Sequence, residues 1–318
     1  MRPGSGGTRW RWAHGRPTAA ASACVALLLA WPSAVPNTPG RLGSLLETFL
    51  PWLGLATPVL LGLALLRRSA TALLAAVLAV AVWLAVFGRL LLPAGGDGGR
   101  YELTAVQHNV SDENSDPRGA ARALRSAGPQ LVALEEVTPA ARPVYEAELG
   151  PDLPHHAVIG TVGLWSAYEL TDVRPLDIKP DGIGDGWQRG LRATARTPRG
   201  DVAVFVAHLP SVRVGLGDGF ASAWRDESAV LLAEAVAAER LDRVILLGDL
   251  NGTLDDRGLG PVLAETAAPA TGFALSWPAG FPVARIDQVL ARSATVAEVW
   301  TLPATGSDHL PVAARVRL

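Results

Sequence analysis

The chain has 318 residues and a formal charge of −2, which hides two opposite halves: residues 1–100 carry nine Arg against two acids, whereas residues 101–318 carry 19 Lys and Arg against 28 Asp and Glu. A C-terminal part at −9 disfavours a protein that grips duplex nucleic acid through its phosphates, since that needs a basic surface. The lone Cys24 excludes a disulfide framework and a thiolate metal site.

Three apolar stretches open the chain, over 18–35, 43–66 and 69–92. A bilayer core takes about 20 apolar residues of helix; the second and third stretches reach that length, with Glu47 and Arg89 only near their ends. The first is shorter and contains Pro32, so it reads as a third span or a signal peptide. Arg2, Arg9, Arg11 and Arg16 precede the first stretch, Arg67 and Arg68 separate the other two, and Arg41 alone occupies the remaining connection. The positive-inside rule therefore places the Arg67 turn in the cytoplasm and residue 94 onward outside. The expected organisation is an α-helical membrane anchor of about three spans over 1–93, a Gly-rich linker over 94–100, and an extracytoplasmic domain over 101–318.

In that domain, 101–110 alternates like a strand, 117–128 reads as a helix with Pro near its start and Gly at its end, and 130–137 is a second strand. A short helix over 139–149 follows, then strands over 155–161, 164–166, 169–179, 188–197 and 201–209, separated by Gly, Pro and Asp turns. The clearest helix spans 220–239. Val244 to Leu247 form a fully apolar strand that runs into Gly248, Asp249, Leu250 and Asn251. Strand-like runs at 284–291, 296–302 and 310–318 complete an α+β pattern of packed sheets covered by helices.

Polar residues of one chemical type recur where these strands end: Asn109 in QHNV, Glu135 and Glu136 in LVALEEV, His208 in VAVFVAHL, Asp249 and Asn251, Asp287 in RIDQVL, and Ser307, Asp308 and His309 in GSDHLPV. Each alone has a bland explanation as a turn former, a cap or a hydrogen-bonded core residue. Six such termini carrying Asn, Glu, His and Asp are harder to dismiss, because strand ends converge where loops build sites on rigid scaffolds.

In this order the GDLN of 248–251, the RIDQV of 285–289, the SDH of 307–309 and the ALEEV that stands where LQEV is common resemble the endonuclease/exonuclease/phosphatase superfamily, the metal-dependent phosphoesterases related to pancreatic deoxyribonuclease and sphingomyelinases. The resemblance implies a two-sheet β-sandwich flanked by helices over 101–318. It implies Glu136 as the principal Mg²⁺ ligand, with Mn²⁺ the alternative ion and Asn109 and Asp308 supporting the site. Asp249 would orient or deprotonate the attacking water, and Asn251 would hold a phosphate oxygen. Asp287 would fix His309 as an imidazolium beside the phosphate, and His208 would bind phosphate or assist the leaving group. Arg189 is a further phosphate contact. Two departures stand out: Ser111 replaces the polar ligand common two residues after the first Asn, and Ser166-Ala167-Tyr168-Glu169 lacks the Arg usual in that loop.

The membrane-anchored arrangement is similar to actinobacterial family members associated with glycopeptide-antibiotic resistance, which implies a lipid-linked phosphate or pyrophosphate of the cell envelope as substrate. The alternatives are a sphingomyelinase-like phospholipid phosphodiesterase, a nuclease on the outer side, and an inactive membrane-tethered binding module. Membrane lipid is the expected partner; no residue pattern points to a protein partner.

Overall fold

The computed structural model describes residues 15–38, 40–92, 103–215, 217 and 219–318. The expected linker and Arg2, Arg9 and Arg11 lie outside the described residues. Contacts divide the chain into two units, Met1–Pro36 with Phe49–Arg89, and Asn37–Thr48 with Leu90–Leu318.

In the first unit the first apolar stretch forms α1 (Arg16–Ala30). The short helix α2 (Leu42–Thr48) belongs to the second unit. The second stretch is thus divided between the units: α2 ends at Thr48, and the helical run Leu50–Leu66, which includes α3 (Ala56–Leu66), belongs to the first. The third stretch is α4 (Ala70–Phe87), extended by a 3₁₀ turn to Leu91. Ala70–Leu91 is the one described helix long and apolar enough by itself to cross a membrane. Ser69 caps α4 by accepting a bond from the Ala72 amide. Small residues Ala64, Ala72, Ala76 and Ala79 are fully buried, so the helix backbones approach closely, while Leu66, Leu74 and Leu78 stay exposed.

The second unit contains two large sheets. One holds β1 (Leu103–Asn109), β2 (Leu131–Glu135), β3 (His155–Ile159), β4 (Val162–Ser166), and, from the C-terminus, β12 (Thr295–Thr301) and β13 (Val312–Arg317), in the order β12-β13-β1-β2-β4-β3. The other holds β5 (Leu170–Pro175), β6 (Gly190–Thr197), β7 (Gly200–Ala207), β10 (Val244–Asp249) and β11 (Asp287–Arg292), in the order β11-β10-β7-β6-β5. A small hairpin, β8 (Arg213–Gly215) and β9 (Gly219–Ala221), stands apart. Because side chains alternate along a strand, each sheet buries both faces. Ala105, Ala133, Leu164 and Ala314 meet Ala193, Val204, Ile245 and Val289 between the sheets.

Helices cover the outer faces. α5 (Pro117–Arg125) and α6 (Arg142–Leu149) pack Ala121, Leu124, Tyr145 and Leu149 on Val106, Val132 and Trp165. α7 (Ala223–Ala237), with α8 (Gly260–Glu265) nearby, packs Leu232 and Val236 on Phe205, Val244 and Leu246. The four layers match the expected β-sandwich flanked by helices. α5 begins as its sequence dictates, with Pro117 in the first turn and the Asp116 carboxylate accepting from the Gly119 amide at 2.8 Å. α7 starts three residues later than expected because Phe220 pairs in β9 and donates its amide to the Gly40 carbonyl.

Strand direction places the site. β1 and β2 are parallel, as are β7 and β10, so the four carry Asn109, Glu135, Ala207 and Asp249 at their C-terminal ends. β11 runs antiparallel to β10 and begins at Asp287, directly opposite Asp249. Gly248 makes the last step of β10 fit, since a Cβ there would lie 1.9 Å from the Ala207 carbonyl oxygen. Gly248→Ala is expected to cost about 1–3 kcal/mol through forced backbone separation, read as a lowered unfolding midpoint of the full-length protein; an unchanged midpoint would show that β7 and β10 can part freely.

Candidate active site

The alternation of β1 sorts its polar residues. Gln107 and Asn109 share one face, and His108 turns the other way to bond Thr305 Oγ1 at 2.7 Å. Gln107 Nε2 donates to Glu135 Oε2 at 2.7 Å and to Asp287 Oδ1 at 3.0 Å. Asn109 Nδ2 donates to Glu136 Oε1 and to Asp249 Oδ2, each at 3.1 Å. The two amides bridge the acids of one sheet to those of the other.

Asp249, Asp287 and His309 converge so that one ligand atom from each lies within 4.8 Å of the others. His309 Nδ1 sits 2.8 Å from Asp287 Oδ2, and its Nε2 is 3.8 Å from Asp249 Oδ2. The SDH turn holds the ring there: Ser307 Oγ donates to the Asn109 carbonyl at 2.7 Å and accepts the His309 amide at 3.0 Å. Burial works against charge on His309, but the Asp287 and Asp249 carboxylates outweigh it and lift the imidazole to about 10. Burial likewise opposes ionisation of Asp287, yet the His309 charge and its hydrogen bond hold that carboxyl below its usual range. Asp249 goes the other way. Its burial, reinforced by Asp287 and only partly offset by His309, raises it to about 7.

His208 is buried, with Nε2 at 3.6 Å from Asp249 Oδ2 and 3.8 Å from Glu136 Oε1. Burial and the Arg189 guanidinium push its pKa down to about 3, so it is a neutral ring and can act only as a neutral hydrogen-bonding group near neutral pH. Arg189 Nη1 stands 3.5 Å from that ring and its guanidinium lies 5.6 Å from the Trp187 ring centroid. Asn251 occupies the left-handed region at φ 47°, its amide donating to Asp249 Oδ1 and its Nδ2 to the Leu209 carbonyl. One Nδ2 hydrogen is left for a ligand. Glu136, also left-handed at φ 60°, is part-exposed at the rim and accepts the Asp112 amide on Oε2. Two non-glycine residues in this sparsely populated conformation mark a loop set shaped for function.

The structure thus brings together Asn109, Glu136, His208, Asp249, Asn251, Asp287 and His309, with Arg189 beside His208. Asp308 is exposed next to His309, and among the described residues no hydrogen bond or ion pair ties it to Glu136 or Asn109. Gln107 and Glu135 were not among the expected site residues. The signal for Gln107 was its place two residues before Asn109, on the same strand face. Glu135 is fully buried, and burial, reinforced by Asp287, raises its carboxyl well above the ordinary value, at the position where the superfamily often has Gln. Its Oε1 has no partner among the described residues.

A family model described as the endonuclease/exonuclease/phosphatase family matches residues 106–309. The chain belongs to this family. No curated protein matches it in sequence. Among solved structures it is similar to a magnesium-bound mutant of beta toxin from Staphylococcus aureus, at 15% identity and TM-score 0.53, over 67% of this chain and 99% of that one. Sphingomyelinase C from Streptomyces griseocarneus gives 19% identity and TM-score 0.50, over 67% and 98%. An endonuclease/exonuclease/phosphatase from Beutenbergia cavernae gives 19% and 0.52, over 69% and 72%. These likenesses establish the shared fold, and the family makes the chain a hydrolase of phosphoric esters.

The donor set suits a hard divalent cation. Glu136 offers carboxylate oxygens at a solvent-reached rim, against a cluster in which Asp249 and Asp287 are met by one imidazolium. Two oxygen-rich positions can take such an ion: Glu136 at the rim, and the Asp249–Asp287–His309 group, whose ligand atoms lie within 4.8 Å of one another.

Two predictions follow from these environments. If Asp249 takes the proton of water it must be ionised, so kcat/KM should fall about tenfold per unit as pH drops below about 7. A nearby cation favours the ionised form, so this limb should move to lower pH as Mg²⁺ is raised; an acid limb that Asp249→Asn leaves in place would assign it to another group. Glu135→Gln should preserve activity and match or exceed the native unfolding midpoint, because it replaces a buried acid by an uncharged group of the same shape. A loss of activity above tenfold would show that the acid itself is used.

Proposed function

We propose that this protein is a membrane-anchored, Mg²⁺-dependent phosphohydrolase acting outside the cytoplasmic membrane on a lipid-linked phosphate or pyrophosphate of the cell envelope. The observation that carries the reading is the Asp249–His309–Asp287 arrangement in a unit that also contains residues 37–48, the connection after the first apolar stretch together with the start of the second. A folded unit occupies one side of a membrane. Residues 37–48 and 103–318 therefore share a side, and the intervening segment 49–92 must cross an even number of times. Two crossings, by 50–66 and 70–91, agree with the orientation read from the arginines. The exposed leucines of the apolar helices suit a lipid surround.

In this reading Asp249 receives the proton of the attacking water, and Asn251 and Arg189 bind phosphate oxygens. His309, oriented by Asp287, presents a fixed positive charge where negative charge builds on the phosphoryl group. His208 donates as a neutral ring. Glu136 and Asn109 would hold a Mg²⁺ ion, which when bound would supply Lewis-acid polarisation of a phosphoryl oxygen. The −9 charge of the catalytic part argues against duplex nucleic acid as substrate.

The test is orthophosphate release from a polyprenyl pyrophosphate by the full-length protein in detergent micelles, with and without Mg²⁺, beside Asp249→Ala. Mg²⁺-dependent release that falls by about 10²- to 10⁴-fold in the variant is expected. Release of phosphorylated head groups from phospholipid in its place would reassign the substrate to a phospholipid phosphodiester, and cleavage of DNA at low salt would reassign it to nucleic acid.

A further inference from the structure

Residues 37–48 do more than join two apolar stretches. Asn37 Oδ1 accepts the Ser44 amide at 2.8 Å and its Nδ2 donates to Ser44 Oγ at 3.0 Å, which closes the segment on itself. Gly40 supplies its carbonyl to the Phe220 amide, and Gly219 packs so tightly there that a Cβ would lie 2.4 Å from that oxygen. Arg41 pairs with Asp226. Glu47 is buried, and Arg257 surrounds it: the Arg257 amide and Nε reach Oε2 at 2.9 and 2.8 Å, and Nη2 reaches Oε1 at 2.7 Å. Thr48 Oγ1 is 3.5 Å from Asp256 Oδ2.

The Arg41 and Thr48 contacts end on Asp226 and Asp256, the two acids that one buried side chain holds, and Arg257 directly follows Asp256. Arg225 is buried in α7, with Nε on Asp226 at 2.7 Å, Nη2 on Asp256 Oδ2 at 2.5 Å, and Nη1 on the Asn251 carbonyl at 3.0 Å. The loop after β10 is shaped to admit it, since a Cβ on Gly252 would lie 2.0 Å from Arg225 Nη1 and one on Gly258 2.8 Å from Nη2. Arg225 thus ties the left-handed Asn251 to the two acids on which the 37–48 segment closes.

We propose that residues 37–48 are a positioning strap of the active site: Glu47 through Arg257, and Arg41 through Asp226, fix the Arg225–Asp256 pair that holds the Asn251 backbone and hence the amide that meets phosphate. Arg225, Asp256, Glu47 and Arg257 are positioning residues, since none faces the acid cluster itself. The proposal rests on the reading above only in taking Asn251 as a phosphate-handling group; it does not depend on which phosphate ester is the substrate.

The test uses the full-length protein with Glu47→Gln, Arg257→Glu and the exchanged pair Glu47→Arg with Arg257→Glu. The probe is bis(4-nitrophenyl) phosphate with Mg²⁺, a soluble diester that removes any effect of lipid access. Amide hydrogen exchange over 250–259 and over 131–137 is measured in parallel with the unfolding midpoint. In Glu47→Gln, kcat should fall about ten- to a hundredfold, as for a displaced positioning group, with KM little changed; exchange should quicken in 250–259 but not in 131–137, and the exchanged pair should recover part of both. Unchanged kcat with unchanged exchange would overturn the proposal, as would faster exchange with full activity. A uniform loss across both segments with a collapsed midpoint would also overturn it, since that is what a merely structural contact does. If the native protein proves inactive on this diester, the reading of the site falls on its own account, and local exchange at 250–259 still decides whether the strap holds the loop.

Discussion

Two buried carboxylates facing each other across an antiparallel strand pair are the constraint from which this site is built. Register sets Asp249 opposite Asp287, and two unit charges within 4.8 Å repel by about 3–4 kcal/mol at an effective dielectric of about 20. The neighbours offset that repulsion rather than remove it. His309 gives Asp287 a full positive charge, Gln107 and Asn109 lend it and Asp249 one amide each, and what is left over appears as the raised Asp249. The result is division of labour between identical groups. One carboxylate is kept ionised beside an imidazolium, and the other is raised toward neutrality, as the proposed proton acceptor would need to be.

The same constraint explains why the sheets are ordered as they are. Parallel pairs β1 with β2 and β7 with β10 send four strand ends to one edge, and antiparallel β11 and β13 bring the start of a strand to that edge. The fold therefore needs no long loop to gather acids. What it does need is a firm loop after β10, where Asn251 leaves the strand in a conformation that costs on the order of 1–3 kcal/mol for a residue with a side chain. Arg225 and its acids supply that firmness from the side away from the substrate.

Legibility in the sequence followed the range of the forces involved. The strands, the helices of the second unit and the polar strand ends were readable because apolar alternation and turn residues act locally, and GDLN, RIDQV and SDH each sit inside one element or turn. Gln107 escaped because its importance depends on which sheet faces which, a matter of pairing between residues 180 apart. His208 reads as a phosphate-binding or leaving-group residue; that its ring is neutral follows from burial and from Arg189, just before β6, neither visible in VAVFVAHL. The apolar run over 43–66 reads as one membrane span with Glu47 near its end, yet Glu47 finds Arg257, 210 residues away, and that ion pair holds α2 in the second unit. Hydropathy counts residues; it does not see where a buried acid has its partner.

Glu136, Asp249 and Asp287 gather three carboxylates about one imidazolium and one guanidinium, in a part of the protein that is itself at −9. A phosphate dianion approaching that cluster meets net repulsion, and neither His309 nor Arg189 can reverse it alone. A divalent cation bound at Glu136, as proposed above, would reverse the sign; substrate affinity as well as chemistry would then be conditional on metal, and the same charge would drive Asp249 toward its ionised form. Under the proposed arrangement the acids that would repel substrate without metal are the ones that would make the metal-bound site reactive. A basic cleft would bind phosphate without metal and would have no such coupling.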